Sequence, residues 1–500
     1  MNNSRAKNAK RNIFFGTINR VVNIIFPFAI RTVMLYIMGS EYLGLDSLFS
    51  SILNFLSVAE LGVGSALVFS MYKPIAEKDP KLICALLNLY RKLYRIIGIT
   101  IFGMGICLVP FLHRLIKADC PADINLYVLY MVYLLNTSMS YWLFAYKRSL
   151  LSAHQRDDVD SKIMLAVQGF IYVILIGAIF LFKNYYYYVL WLPVFTIISN
   201  VVISKVTDKM YPEYKCVGEV SKELRADIKK KVFALFGTKV NSIVLHAFDN
   251  IVISAYIGLN MVGLYSNYYY IMNAIVGIIT IIYNSMVAGI GNSLTTESIE
   301  KNYFDFEVLT FANYWLVVFC TVSLLCLYQP FMKLWVHEKN MLDMCIVVLL
   351  VIYFFVYQIR RVVLTYKDAG GIWWEDRYRP YVMMVINLAG NLILVQFIGL
   401  YGVVFSTIIS MLVSIPIENY TVFKYIFNKS SKDYYKKNAL YIALGVAICL
   451  LTYWVCGFAP DGILGLIVRL VICLIIPNVM IVLLFHRTKE FKHAKMLILR

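Results

Sequence analysis

Long apolar runs dominate the chain, and short polar segments separate them. The runs reach the roughly 18 residues that a helix needs to cross a hydrocarbon core about 30 Å thick. Membrane-spanning strands would instead alternate apolar and polar residues over about ten positions. The pattern therefore predicts about fourteen transmembrane helices, at residues 13–38, 43–72, 93–112, 124–146, 163–182, 185–204, 232–257, 261–290, 303–332, 342–366, 379–398, 402–423, 438–456 and 463–485.

The grouping of these spans predicts an all-α polytopic membrane protein built from two six-helix bundles and two further helices. The longest polar connection follows the sixth span, and another basic connection follows the twelfth. We expect a first bundle at 1–204, a basic cytoplasmic linker at 205–231, a second bundle at 232–423, and a final helix pair with a basic tail at 424–500.

Lysines and arginines predict the orientation, because they concentrate in connections on the cytoplasmic side. With both termini placed inside, the cytoplasmic segments hold 35 of the 47 basic residues and the external segments hold five. Both termini are therefore predicted to be cytoplasmic. This basic inner rim suits an anionic leaflet and accounts for the net charge of +18, so no nucleic-acid partner is expected.

The composition supports the membrane class and indicates no metal site. Hydrophobic residues make up 60% of the chain and charged residues 15%, whereas a soluble domain carries about 25% charged residues. The ten cysteines contain no C-x-x-C pair, so their spacing predicts neither a metal site nor a disulfide framework. Most of them lie in apolar runs, where cysteine behaves as a small apolar residue.

Two stretches of the chain nearly repeat each other at an offset of 219 residues. Residues 44–54 read GLDSLFSSILN and residues 263–273 read GLYSNYYYIMN, with five of the eleven positions identical. The offset also places the first predicted span on the seventh. Internal repeats are typical of transporters, which hold substrate near the interface of the halves. We interpret Gly44 and Gly263 as residues of a tight external turn.

Polar residues form matching stripes along the repeated helices. In the first span Arg20, Asn23 and Arg31 lie on one helical face. The offset places Lys239 on Arg20, and Asn250 continues the corresponding stripe in the seventh span.

The second and eighth spans show the same correspondence. Asn54 falls on Asn273, and Ser65 falls on Asn284. Because two helices keep their polar faces in register across the repeat, the stripes predict the walls of a transport path.

The charges on these walls favour an anionic ligand. A charge at the bilayer centre costs at least about 2.5–3.5 kcal/mol, so such residues usually face a bundle interior or a water-filled cavity. The surplus of arginine and lysine suits a phosphate or diphosphate; alternatively, the arginines reach the interface or pair with helix ends. The candidate substrate-binding residues are Arg20, Asn23, Arg31, Asn54, Lys239, Asn250, Asn273 and Asn284.

Three further residues are candidates for coupling transport to a proton or Na⁺, and no other cofactor is expected. His246 and Asp249 lie three residues apart, and each can titrate when it loses water. They could equally form a hydrogen-bonded pair that fixes helix packing. Glu60 could be a carboxylate of the path or could pair with an arginine of the first span.

The chain lacks the motifs of enzymes that act in membranes. It contains no Walker A, G-x-S-x-G or H-E-x-x-H pattern. The predicted external connections are too short to carry the acid/base loop of a membrane-embedded glycan polymerase or ligase. We therefore expect a transporter and no catalytic residues.

The stretches IMGSEYLGLDSLFSSILNFLSVAELGVGSALVFSMYKPIAEKD and FDNIVISAYIGLNMVGLYSNYYYIMNAIVGIITIIYNSMVAGIGNSL carry a family resemblance. They resemble Wzx-like polysaccharide flippases, the O-antigen and capsule repeat-unit transporters of the multidrug/oligosaccharidyl-lipid/polysaccharide exporter superfamily. The resemblance implies alternating access between two bundles in the bacterial cytoplasmic membrane. It implies an undecaprenyl-diphosphate-linked oligosaccharide as substrate, with membrane lipids and polysaccharide polymerase machinery as partners.

The resemblance also leaves related functions open. The family's cationic lumen is matched here by Arg20, Arg31 and Lys239. Lipid II-type flippases of the same superfamily also carry two extra helices after a twelve-helix core. A drug/cation antiporter of that superfamily would favour carboxylates and aromatic residues over arginine and lysine.

Overall fold

The chain forms two helical units. The computed structural model describes residues 2–60, 62–116 and 120–499, and within these ranges it describes no side chain at 2–10, 12–13, 59, 231, 234–239, 241–246, 288 and 496–499. All regular elements in this part of the chain are helices, without any strand. Internal contacts divide the chain into unit 1, Met1–Gly263, and unit 2, Leu264–Arg500. The predicted domain bounds at residues 204, 231 and 423 stay predictions.

Unit 1 begins with nine helices. They are α1 (Asn2–Ile37), α2 (Ser40–Leu56), α3 (Val63–Glu77), α4 (Pro80–Leu108), α5 (Leu126–Trp142), α6 (Arg148–Ala153), α7 (Asp157–Phe182), α8 (Tyr185–Met210) and α9 (Lys222–Tyr256).

The remaining helices run from the end of unit 1 through unit 2. They are α10 (Leu259–Thr296), α11 (Ile299–Val336), α12 (Met344–Ile359), α13 (Arg361–Gly370), α14 (Arg379–Ile398), α15 (Leu400–Val422), α16 (Lys432–Cys456), α17 (Gly462–Phe485) and α18 (Lys489–Leu499).

Eleven helices of the described residues are long and apolar enough to cross a membrane, as expected of a multi-pass membrane protein. Three of the fourteen predicted spans are not among them. The second span is broken into α2 and α3, and the fourth is the 17-residue helix α5. The seventh lies in α9, where Lys239 and Asp249 interrupt the apolar sequence.

Side-chain caps fix where several of these helices begin. The Asp79 carboxylate accepts a hydrogen bond from the Leu82 amide at 3.1 Å, and Pro80 occupies the first turn of α4. Asn125 caps α5 and Ser298 caps α11 in the same way. Each cap satisfies amide groups that have no partner within the helix, so polar residues between apolar runs end one span and start the next.

The repeated glycines lie inside helices and not in a turn, which corrects the turn interpretation of Gly44 and Gly263. The turn glycines are Gly39, with φ 110°, and Gly258, with φ 135°, and they too are 219 residues apart. Both conformations favour glycine because they lie in a region that side chains rarely adopt.

Gly44 and Gly263 instead allow two helix starts to cross closely. A Cβ atom on Gly44 would lie 2.1 Å from the Leu259 carbonyl oxygen, and one on Gly263 would lie 2.2 Å from the Ser40 carbonyl oxygen. Leu259 is the counterpart of Ser40 at the same offset. The contact is therefore reciprocal, as about a local two-fold axis.

A core of aromatic and small side chains joins α11 to α16 and α17 in unit 2. Tyr314 stacks on Tyr441 with ring centroids 4.6 Å apart, and Phe311 packs against Phe485 at 5.2 Å. The final helix pair is thus packed onto unit 2 through buried residues of its own.

Candidate functional site

A break in the second predicted span positions a carboxylate. α2 ends at Leu56, a 3₁₀ turn covers Ser57–Glu60, and Gly62 adopts a left-handed conformation with φ 90° before α3 begins. Irregular backbone at membrane depth is tolerated where protein covers it or where it lines a water-filled cavity. Glu60, the last residue of this turn, lines such a cavity.

Two tyrosines of α4 hold the Glu60 side chain. The Tyr94 hydroxyl donates a hydrogen bond to Glu60 Oε1 at 2.8 Å, and the Tyr90 hydroxyl donates to Tyr94 Oη at 3.1 Å. We call these three residues the Glu60 cluster. Gly64 adjoins it, because a Cβ atom there would lie 2.8 Å from Tyr90 Oη and 3.0 Å from Glu60 Oε1.

The Glu60 cluster forms part of the wall of a large polar cavity in unit 1. The cavity has a volume of about 790 Å³ and is lined by residues of α3, α4, α5, α6 and α8. Arg148 lies in its wall and forms an ion pair with Asp160 at 2.8 Å. We call this space the unit 1 cavity. It offers a carboxylate, hydroxyls and aromatic faces, a combination that suits a proton, a metal cation or an organic cation.

The residues predicted on the first span lie in different surroundings. Arg20 is exposed. Asn23 donates to the Asn19 carbonyl oxygen at 2.8 Å and accepts a hydrogen bond from the Tyr172 hydroxyl at 3.4 Å. Arg31 is half-buried, and its positive charge acts on the carboxylate of Asp46.

The structure brings the polar stripes of α2 and α9 together within unit 1. The Asn250 amide donates to Ser51 Oγ at 2.9 Å. Asn54, one turn beyond Ser51, is exposed, and Asp249 is buried. Asn250 Oδ1 is buried and has no hydrogen-bond partner among the described residues. This contact joins two of the predicted stripes directly.

The other predicted residues are not brought into this group. The side chains of Lys239 and His246 lie outside the described residues. Asn273 and Asn284 belong to unit 2 and are exposed. Asn284 Oδ1 accepts a hydrogen bond from Arg361 at 3.1 Å.

The sequence reasoning missed several residues that the structure places at these sites. Asp46 accepts a hydrogen bond from the Tyr133 hydroxyl at 2.6 Å and lies near Arg31. Asp46 stands within the repeated stretch GLDSLFSSILN, so its charge was a usable signal. Tyr90 and Tyr94 carried a weaker signal, which was their spacing of four residues on one face of a helix.

Unit 2 holds a buried ion cluster at the corresponding chain positions. Glu418 accepts from Arg379 Nη1 at 2.7 Å and lies 3.2 Å from Arg360 Nη2. Asp376 accepts from Arg379 Nε at 2.8 Å and from Lys367 Nζ at 2.8 Å. All five side chains are nearly inaccessible. We call them the unit 2 ion cluster.

One titratable group lies outside the spans, in the connection between α6 and α7. His154 stacks on the ring of Tyr211 with centroids 4.4 Å apart and on Tyr214 at 5.6 Å. Burial lowers the pKa of His154 below its ordinary value of 6.5, although the nearby Glu213 carboxylate opposes this shift. The imidazole is therefore held in its neutral form.

Comparison with solved structures identifies the architecture. No family model matches the chain, and no curated protein matches it. The lipid II flippase MurJ in an inward closed conformation superposes with a TM-score of 0.66 at 14% identity, covering 95% of this chain and 98% of its own. An inward-facing multidrug resistance MATE family transporter gives a TM-score of 0.65 at 15% identity, covering 81% of this chain and 97% of its own.

The chain has the fold of the MOP superfamily transporters. A MOP superfamily transporter from Pyrococcus furiosus, described as having a binding pocket of reverse polarity, is also similar. Its TM-score is 0.58 at 14% identity, and it covers 85% of this chain and 97% of its own. The predicted class, an all-α membrane protein with repeated helical bundles, is confirmed. Sequence identity this low establishes the MOP fold and leaves the substrate to be inferred.

Proposed function

We propose that the protein is a flippase that moves a polyprenyl-diphosphate-linked oligosaccharide across a bacterial cytoplasmic membrane by alternating access. The observation that carries this proposal is the share of the chain that each structural relative covers. The lipid II flippase covers 95% of the chain, whereas the multidrug transporter covers 81%. The difference is about the length of α16–α18. A chain with this final helix pair suits the architecture of the flippase better than that of the shorter drug exporter.

The charges on α1 support an anionic substrate. Arg20 is exposed, and no described residue forms an ion pair with it. Arg31 is half-buried, with Asp46 as a neighbouring carboxylate. Charged side chains within membrane-spanning segments usually mark a substrate or ion pathway. Guanidinium groups bind the oxygens of a diphosphate through paired hydrogen bonds, so these arginines are the diphosphate ligands of the proposal.

Glu60 is the coupling residue of the proposal. Ion sites in transporters are often built where a membrane helix is interrupted, because the interruption exposes polar groups at membrane depth. Glu60 stands at such an interruption, faces the unit 1 cavity and accepts a hydrogen bond from Tyr94. Binding of a proton or Na⁺ at this carboxylate would favour one conformation of unit 1 over another.

A drug/cation antiporter is the second candidate, and the unit 1 cavity favours it. A carboxylate surrounded by the rings of Tyr90, Tyr94 and Tyr141 could hold an organic cation. In the flippase proposal this cavity serves only the coupling ion, whereas in the antiporter it holds the drug. The two functions therefore differ in which cargo requires α1 and which requires Glu60.

Transport measurements on the full-length protein in proteoliposomes test the assignment. One assay follows a fluorescent undecaprenyl-diphosphate-linked saccharide, and the other follows efflux of ethidium. We expect movement of the lipid-linked saccharide only, and its loss in Arg20→Ala and Arg31→Ala. Lys73→Ala removes an exposed lysine of α3 that pairs only with Glu77, so it is the matched control and should transport normally.

The two candidates give opposite results. Ethidium efflux that survives Arg31→Ala but not Glu60→Gln would establish the antiporter and exclude the flippase. In cells, surface polysaccharide should be absent with Arg31→Ala at normal protein level. Glycan output equal to that of the unmodified protein would contradict the role of α1.

A further inference from the structure

Three cysteines meet in the core of unit 2 although they are far apart in sequence. Cys326 belongs to α11, Cys456 ends α16, and Cys473 belongs to α17. Their sulfur atoms all lie within 4.8 Å of one another, and all three side chains are buried. Each helix thus contributes one thiol. The spacing of the cysteines along the chain gives no sign of this arrangement.

We propose that these three cysteines form a binding site for a soft monovalent metal ion, with Cu⁺ as the ion of best fit. Thiolate ligands select soft ions such as Cu⁺, whereas oxygen ligands select Mg²⁺ and Ca²⁺. Structural zinc takes four ligands in a closed tetrahedron, and the described residues supply three here. The proposal does not depend on the transport function.

The distances between the sulfur atoms suit an ion at their centre. An ion equidistant from three sulfurs 4.8 Å apart would lie about 2.8 Å from each, which is 4.8 Å divided by the square root of three. Metal–thiolate bonds are shorter, about 2.3 Å for zinc. Small side-chain rotations would close this gap, because 4.8 Å is the upper bound on the observed separations.

The surroundings offset the charge that binding would create. Cu⁺ held by two thiolates and one neutral thiol carries a net charge of −1, and its formation from three thiols releases two protons. Arg469 of α17 donates to the carbonyl oxygens of Cys456, Ala459 and Pro460 at 3.0–3.3 Å. Its guanidinium is therefore fixed beside the end of α16, where it balances the negative site.

Bound metal would fasten the final helix pair to α11. The cysteines already belong to the apolar core that joins these three helices. Small apolar packing is the alternative role for buried cysteine, and it predicts no metal affinity. The two roles can be separated by measuring metal binding directly.

The experiment uses the full-length protein in detergent micelles under anaerobic, reducing conditions. The protein is titrated with Cu⁺ against a chromogenic Cu⁺ chelator, and X-ray absorption reports the atoms around the bound copper. We expect one retained Cu⁺ per chain with a first shell of sulfur only. Replacement of any one member, as in Cys326→Ala, Cys456→Ala or Cys473→Ala, should abolish retention against the chelator.

Cys107→Ala and Cys345→Ala are the matched controls, because both residues are exposed and lie outside the cluster. They should retain the copper. The proposal is overturned if the chelator removes all copper from the unmodified protein, or if oxygen or nitrogen ligands surround it. It is equally overturned if a native disulfide joins two of the three cysteines. Since these outcomes are read on the unmodified chain, misfolding of a variant does not affect them.

Discussion

The two copies of the repeat differ most where the first copy has an open cavity. In the first copy the helix breaks and Glu60 faces that cavity. At the same offset of 219 residues the second copy has Ile279, within the continuous helix α10. The second copy has therefore lost both the interruption and the carboxylate.

The positions around the cavity show the same contrast. Tyr141 and Arg148 line the unit 1 cavity. Their counterparts at the same offset, Arg360 and Lys367, belong to the unit 2 ion cluster. A carboxylate that binds and releases a ligand needs space and few fixed partners, whereas two buried guanidinium groups hold Glu418 in place. The first copy thus has the features of a working site, and the second has those of a rigid support.

The largest expected effect concerns this rigid support. Glu418→Gln removes a negative charge from a buried cluster that already carries one excess positive charge, so Arg360 and Arg379 lose their shared partner. We expect the free energy of unfolding to fall by about 3–5 kcal/mol, the usual cost of breaking a buried ion pair. Thermal and denaturant unfolding in micelles measure it.

Asp433→Asn provides the comparison for this measurement. Asp433 is exposed and lies 3.8 Å from an exposed lysine, Lys436, so its loss should leave stability unchanged. Equal effects of the two substitutions would show that the unit 2 ion cluster is not a support.

The next largest effect concerns the positions at which the two copies have stayed the same. Gly44→Ala and Gly263→Ala each place a methyl group about 2 Å from a carbonyl oxygen, which forces α2 and α10 apart. We expect each substitution to destabilise the protein by about 1–3 kcal/mol, as overpacking usually does.

Gly103→Ala is the matched control, because it adds a methyl group inside α4 where nothing lies within 4 Å. It should be neutral or stabilising by up to about 1 kcal/mol. If Gly44→Ala were harmless while Gly263→Ala was not, the reciprocal contact would be wrong.

A smaller effect tests whether the Glu60 cluster is a working site. Tyr94→Phe removes the hydrogen bond to the Glu60 carboxylate and leaves the ring in place. Because a hydrogen bond to a charged group contributes about 1.5 kcal/mol or more, we expect coupled transport to fall roughly tenfold without loss of stability. Tyr130→Phe removes a bond to the Gly105 carbonyl oxygen and serves as the control. Parallel losses in both variants would indicate a general packing effect.

The smallest effect concerns the connection between α6 and α7. His154 is held neutral by burial, and its counterpart in the second copy is Trp373, which does not titrate. Because the pKa of His154 is lower in the folded protein, stability is kept above about pH 6.5 and falls as the pH drops further. His154→Gln should remove a small part of this fall. Melting temperatures at pH 7.5 and 5.5 measure it, and an identical pH dependence in both proteins would contradict the assignment.

Much of the fold follows from the apolar runs, and its interruptions do not. The runs and the repeat predicted an all-α membrane protein of repeated bundles, which the MOP fold confirms. The break before α3 was missed because the sequence SVAELGVG is almost as apolar as a continuous span, and Gly62 alone marks it. Backbone conformation at one glycine is not encoded in a hydrophobic pattern.

The site was less predictable, because its charges acquire their roles from partners distant in the chain. Glu60 was a candidate, but its hydrogen bond to Tyr94 joins residues 34 positions apart. Glu418 attracted no attention, since a single acid near the end of a span resembles an interfacial residue. Only the folded chain shows that Arg360 and Arg379 meet there.

The reciprocal crossing of Gly44 and Gly263 also bears on how such a chain could arise. In a homodimer of half-length chains, one glycine per subunit would make the same contact with its mate, and a single codon would control both sides. After fusion of two copies, each codon can change separately. Glu60 and Ile279 have diverged under that freedom, whereas both crossing positions remain glycine. The crossing therefore preserves a record of self-association within a single polypeptide.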